Sequence, residues 1–125
     1  MKVGEAIERA DALRPNPFSS EEKMQWLSEI DGKISKQILK RDDFKAYELK
    51  DFRETKLLAE DAYTDIYLFY LCAMIDFFSR DYGEYNNSVK MFNSLYEKYA
   101  KEKHSNSEDK NYSGVRSDKY YINIF

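Results

Sequence analysis

Residues 63–79 read YTDIYLFYLCAMIDFFS, and from Ile66 to Ile75 they carry no charge. At 100° per residue Ile66, Tyr70, Ala73 and Phe77 form one stripe, and Tyr67, Leu71, Met74 and Phe78 an adjacent one. Apolar side chains therefore cover well over half of the circumference, which predicts a helix enclosed by others at the centre of a bundle. The uncharged run is about half of the ~20 residues that span a bilayer, so it belongs to a core or an interface. The remaining side carries Asp65, Phe69, Cys72 and Asp76, a mixed seam that a monomer would expose in part. That seam is the candidate subunit interface; the alternative is that Phe69 and Cys72 pack beneath the preceding loop.

Towards the C-terminus, DYGEYNN turns the chain, with Gly83 suited to a backbone conformation other residues resist. The next helix runs to about Lys103 and buries Tyr85, Val89, Phe92, Leu95, Tyr96 and Tyr99, while Lys90, Glu97, Lys98, Lys101 and Glu102 lie on its wet side. The two helices are expected as a long antiparallel hairpin. So many core tyrosines imply hydroxyls that must find partners or reach water.

Towards the N-terminus, Val3, Ile7, Ala10 and Leu13 predict a short helix that ends at the elbow Arg14–Pro17, because a residue before proline is pushed out of the helical region. Pro15 and Pro17 stiffen this link. Ser19 with Glu22 has the form of a capping box, and Phe18 sits where a hydrophobic staple would. The helix that follows shows one apolar stripe, Met24, Leu27, Ile30, Ile34 and Ile38, with Trp26 at its edge and Asp31 inside its arc. A carboxylate there needs a partner. Water, a tyrosine hydroxyl or a base such as Arg14 at the core's rim would serve, and so would a buried ion pair that fixes the elbow.

Residues 40–60, KRDDFKAYELKDFRETKLLAE, are charged and weakly patterned, which predicts a surface excursion. Phe44–Leu49 and Thr55–Ala59 could form a short β-hairpin or wing. Asp42, Asp43, Glu48 and Asp51 fit no metal-site spacing and are interleaved with bases. After His104 the composition turns linker-like and then ends on KYYINIF, Lys119, Tyr120, Tyr121, Ile122, Asn123, Ile124 and Phe125. This β-prone segment is a candidate docking arm that could add to a partner's sheet edge. The expectation is a mainly α bundle of about four helices over residues 1–103, with a linker and arm over 104–125.

Composition restricts function. With 125 residues, 42% of them hydrophobic, the chain can bury one core, and a net charge of -3 gives no general attraction to phosphate backbones. Cys72 is the single cysteine, so no intramolecular disulfide is possible, and the N-terminus lacks a signal-like apolar core. His104 follows a lysine-rich helix end and reads as a charge partner for the helix C-terminus. Cys72 has no histidine in helical register. No phosphate loop, paired-cysteine site or nucleophile elbow occurs, so neither an enzyme, a metal nor a cofactor is expected.

Residues 3–39 and 61–100 together resemble the small helical head-tail connector (head-completion adaptor) proteins of tailed phages and prophages. The features that carry the resemblance are the Arg14–Pro17 elbow, Trp26 and Leu27, Asp31 and Gly32, the entry Tyr63, Asp65, Ile66 and Tyr67, and Tyr85, Asn87, Phe92, Asn93 and Tyr96. The resemblance implies a structural virion protein forming a ring, dodecameric on the portal. The ring would extend the DNA channel without specific DNA binding and offer a platform to the next head-completion or tail protein. It implies assembly in the host cytoplasm and a final place at the head-tail junction, with no membrane. Residues 40–60 and the tail lie outside it. The competing expectation is a soluble prophage-encoded interaction or regulatory module that dimerises through the same seam.

Overall fold

The computed structural model of the chain describes residues 1–105. Its helices are α1 (Val3–Leu13), α2 (Ser20–Lys33), α3 (Asp65–Phe78) and α4 (Tyr82–Ser105). α2 runs on through a wide π-turn at Ile34–Ile38, closed by the Leu39 amide on the Ile34 carbonyl at 3.0 Å. This is the mainly helical bundle that the apolar stripes predict. No helix among the described residues is long and apolar enough to cross a membrane.

α3 occupies the centre and packs on each of the other three helices. Between Ile66 and Asp76 only Leu68 and Phe69 keep partial exposure. The α3–α4 hairpin is antiparallel, as the ring pairs Phe77–Tyr85, Tyr70–Phe92 and Tyr63–Tyr99 demonstrate, with centroids 5.6, 5.3 and 4.8 Å apart. From α4, Phe92, Tyr96 and Tyr99 are fully buried. The stripe of α2 is buried over its whole length from Met24 to Ile38, and its Ser19–Glu22 capping box is present in both directions.

The α3–α4 turn differs from expectation. Gly83 lies inside the first turn of α4, and the left-handed residue is Arg80, at φ 62°. The Asp81 amide bonds the Asp76 carbonyl at 2.8 Å and the Arg80 amide bonds that of Phe77 at 3.0 Å. This is a Schellman end with an arginine where glycine is usual. Asp81 then caps α4, accepting from the Glu84 amide at 3.2 Å.

Residues 40–60 form neither hairpin nor wing; they are a strap. The Val3 and Gly4 amides donate to the Thr55 and Phe52 carbonyls at 3.0 and 2.7 Å, and the Leu57 amide donates to Met1 at 2.9 Å. A single antiparallel bridge pairs Lys2 with Lys56. The first amides of a helix lack internal acceptors, and here the strap supplies them with backbone that a hairpin would have used on itself. Leu57 and Ala59 are the strap's own buried residues. The approach is so close that a Cβ on Gly4 would lie 2.5 Å from the Phe52 carbonyl oxygen.

α4 continues to Ser105, past the boundary expected at residue 103. The expected arm at 119–125 lies outside the described residues.

Candidate functional site

Two buried aspartates organise the bundle at different places. Asp31 on α2 is fully buried. One of its oxygens accepts from the Tyr47 hydroxyl at 2.5 Å and the Leu58 amide at 3.1 Å, and the other accepts from the Tyr67 hydroxyl at 2.5 Å. Tyr67 in turn accepts from the Ala59 amide at 2.7 Å. One carboxyl group thus ties α2 to α3 and to both halves of the strap. Burial raises the Asp31 pKa above its ordinary value, against the pull of the two hydroxyls and the amide. Burial and then the neighbouring Asp31 charge push both tyrosine hydroxyls upward as well. A tyrosine was one of the anticipated partners. The site is the interior rather than the rim, and the donors to the carboxylate are two hydroxyls and an amide rather than a base.

The ion pair that fixes the elbow exists, but its acid is Asp76. Arg14 Nε lies 3.1 Å from Asp76 Oδ1, and its terminal nitrogen lies 3.0 Å from Glu84. The second oxygen of Asp76 accepts from the Ser88 hydroxyl at 2.9 Å. Asn16 staples the turn between the prolines: its amide donates to Asp11 at 2.9 Å and to the Arg14 carbonyl at 2.7 Å, and its oxygen accepts from the Phe18 amide at 3.1 Å. Lys23, buried on α2, reaches Asp11 at 2.7 Å. The elbow is thereby bolted to α2, α3 and α4.

Around this elbow the molecule shows an aromatic end. Trp26 and Phe78 stack with planes 3° apart and centroids at 5.7 Å, and Phe18 meets both edge-on at 5.7 and 6.3 Å. Phe77 continues the cluster to Tyr82 at 5.9 Å. Phe78 is 50% exposed and Tyr82 53%, while Trp26, stacked on Phe78, is buried. Pro15 and Pro17 are exposed beside them. Phe78 and Tyr82 are the exposed rings of this cluster, which makes this end a candidate association surface.

The expected seam does not form a single face. Asp65 is exposed and Phe69 half-buried against the core, but Cys72 and Asp76 are inside the monomer. Asp76 is used by Arg14 and Ser88. Cys72 is a buried thiol whose pKa is pushed up to about 11 by burial, against the opposing pull of Arg14, so it carries little thiolate at neutral pH. Among the described residues no cluster of three His, Cys, Asp or Glu is placed to hold a metal.

Stripe reasoning placed Phe78 in the core and so missed the aromatic end. The signal was the density of rings in FFSRDYGEY across a chain reversal. No protein-family profile, curated protein or solved structure matches the chain.

Proposed function

We propose that the chain is a structural assembly subunit, a head-tail connector adaptor that forms a ring under a portal, extends the DNA channel and presents a platform for head completion and tail attachment. The observation that carries this reading is the exposed aromatic end held rigidly by the bolted elbow. A subunit that must seat between neighbours needs an adhesive surface whose position does not drift, and the Arg14, Asn16 and Asp76 bonds restrain it. The two segments that resemble connectors supply all four helices, and two of their separated features, Asp31 and Tyr67, bond each other directly. The acidic balance of the chain suits a channel through which DNA slides, because a basic wall would hold it through counterion release.

Quantitative mass spectrometry of purified particles, with copy number referred to the portal protein, tests the proposal. Copies equal or near-equal to the portal support a ring at that vertex. Absence from intact particles overturns it and leaves a free interaction module that associates through the same aromatic end.

A further inference from the structure

The exposed aromatic end calls for an occupant, and the chain itself contains a matching one. We infer that Phe78 and Tyr82 of one copy receive residues 119–125 of a second copy, so that copies join head to tail. This inference rests on the assembly reading above and names the contact between subunits.

Two observations select the occupant. The first is chemical. KYYINIF places three rings and two isoleucines in seven residues, and a surface of offset and edge-on rings pairs best with further rings and branched aliphatics. The segment is β-prone in composition and contains no proline, as suits recognition of a partner through an added strand.

The second is reach. α4 starts at the aromatic end with Tyr82 and carries the chain away over 24 residues to Ser105. At 1.5 Å per residue this puts the exit about 36 Å from the ledge. The 13 residues 106–118 can cover about 43 Å when pulled straight, so docking on the same copy would hold most of that linker near full extension. A second copy whose ledge lies beside the exit requires no such extension. The contact uses different surfaces on its two sides, which is the heterologous kind that closes into a ring by rotation.

Complementation between full-length variants tests this. Phe78→Ser removes the ledge, with Tyr82→Ser as a second ledge variant at a half-exposed position; Tyr121→Asp combined with Ile124→Asp removes the arm. Circular dichroism establishes that each variant keeps its helices. Sedimentation equilibrium at high micromolar concentration should find the parental chain self-associating and each variant weakened by about tenfold or more in Kd. A mixture of a ledge variant with the arm variant should form heterodimers, because each partner contributes the one intact half that the other lacks. A mixture as monomeric as its components overturns the inference. So does a parental chain that stays monomeric while the arm variant alone changes Trp26 emission, which means docking within one copy. So does a chain that associates only when purified portal is added. None of these results alters the particle copy number, so the connector reading and this contact can fail separately.

Discussion

Asp31 and Asp76 are both buried aspartates, yet they are satisfied by opposite means. Asp31 is met by neutral donors, two tyrosine hydroxyls and one amide, from three parts of the chain. Asp76 is met by a guanidinium that is itself partly exposed and by one serine hydroxyl. A carboxylate held by neutral donors retains a desolvation cost that shows in its raised pKa, whereas one held by Arg14 has its charge balanced. The first arrangement locks an interior node. The second leaves a cation and an acid near the surface, at the end of the bundle where Phe78 and Tyr82 are exposed.

Replacing each aspartate by alanine separates the two nodes. Asp31→Ala strands two hydroxyls and an amide in the interior and should cost about 2–4 kcal/mol in urea unfolding followed by circular dichroism. Asp76→Ala leaves Arg14 free to turn to water and to keep Glu84, so about 1–2 kcal/mol is expected once its exposure is taken into account. Equal losses would mean that the two nodes are energetically alike and would break the comparison.

Gly4→Ala probes the strap that Asp31 anchors. Its methyl group would meet a backbone oxygen at 2.5 Å and the Phe52 ring at 2.7 Å, so the strap must shift, at about 1–3 kcal/mol. Stability unchanged within error would show that the strap yields freely.

The pH dependence sharpens the contrast further. Because the folded pKa of Asp31 is raised above 3.8, the folded chain binds this proton more tightly than the unfolded chain does. The contribution of the group is therefore greatest at low pH and declines as pH rises from 3.8 through the folded pKa. Urea midpoints measured against pH should show the parental chain losing ground to Asp31→Asn across that window, since asparagine does not titrate. A gap that moves in the parental chain's favour with rising pH would contradict the raised pKa.

The smallest effect is a gain. Arg80→Gly relieves a left-handed residue at the Schellman end of α3 and should stabilise by about 0.5–1 kcal/mol in the same urea assay. A loss would indicate that Arg80 makes a contact worth more than its backbone strain.

Much of the fold was legible because it depends on local rules. The period of 3.6 located α1 to α4, the prolines placed the elbow, and Ser19 with Glu22 marked the start of α2. Asp31 stood out as a polar residue within an apolar stripe, and a tyrosine was among its foreseen partners. Its particular partners were not legible, since Tyr47 and Tyr67 come from elements 16 and 36 residues away. The same limit misassigned Arg14, whose acid lies 62 residues on.

The sequence by itself determined which segments are helical and which residues share a side, because stripe, cap and proline act within a few residues. Only the tertiary structure decided that residues 40–60 become a strap, because the amides at the start of α1 took the acceptors a hairpin would have shared. It alone decided that Asp76 and Cys72 face inward and that Phe78 faces out. A helix pattern states which residues share a side; whether that side is covered depends on how far the neighbouring helices run past it.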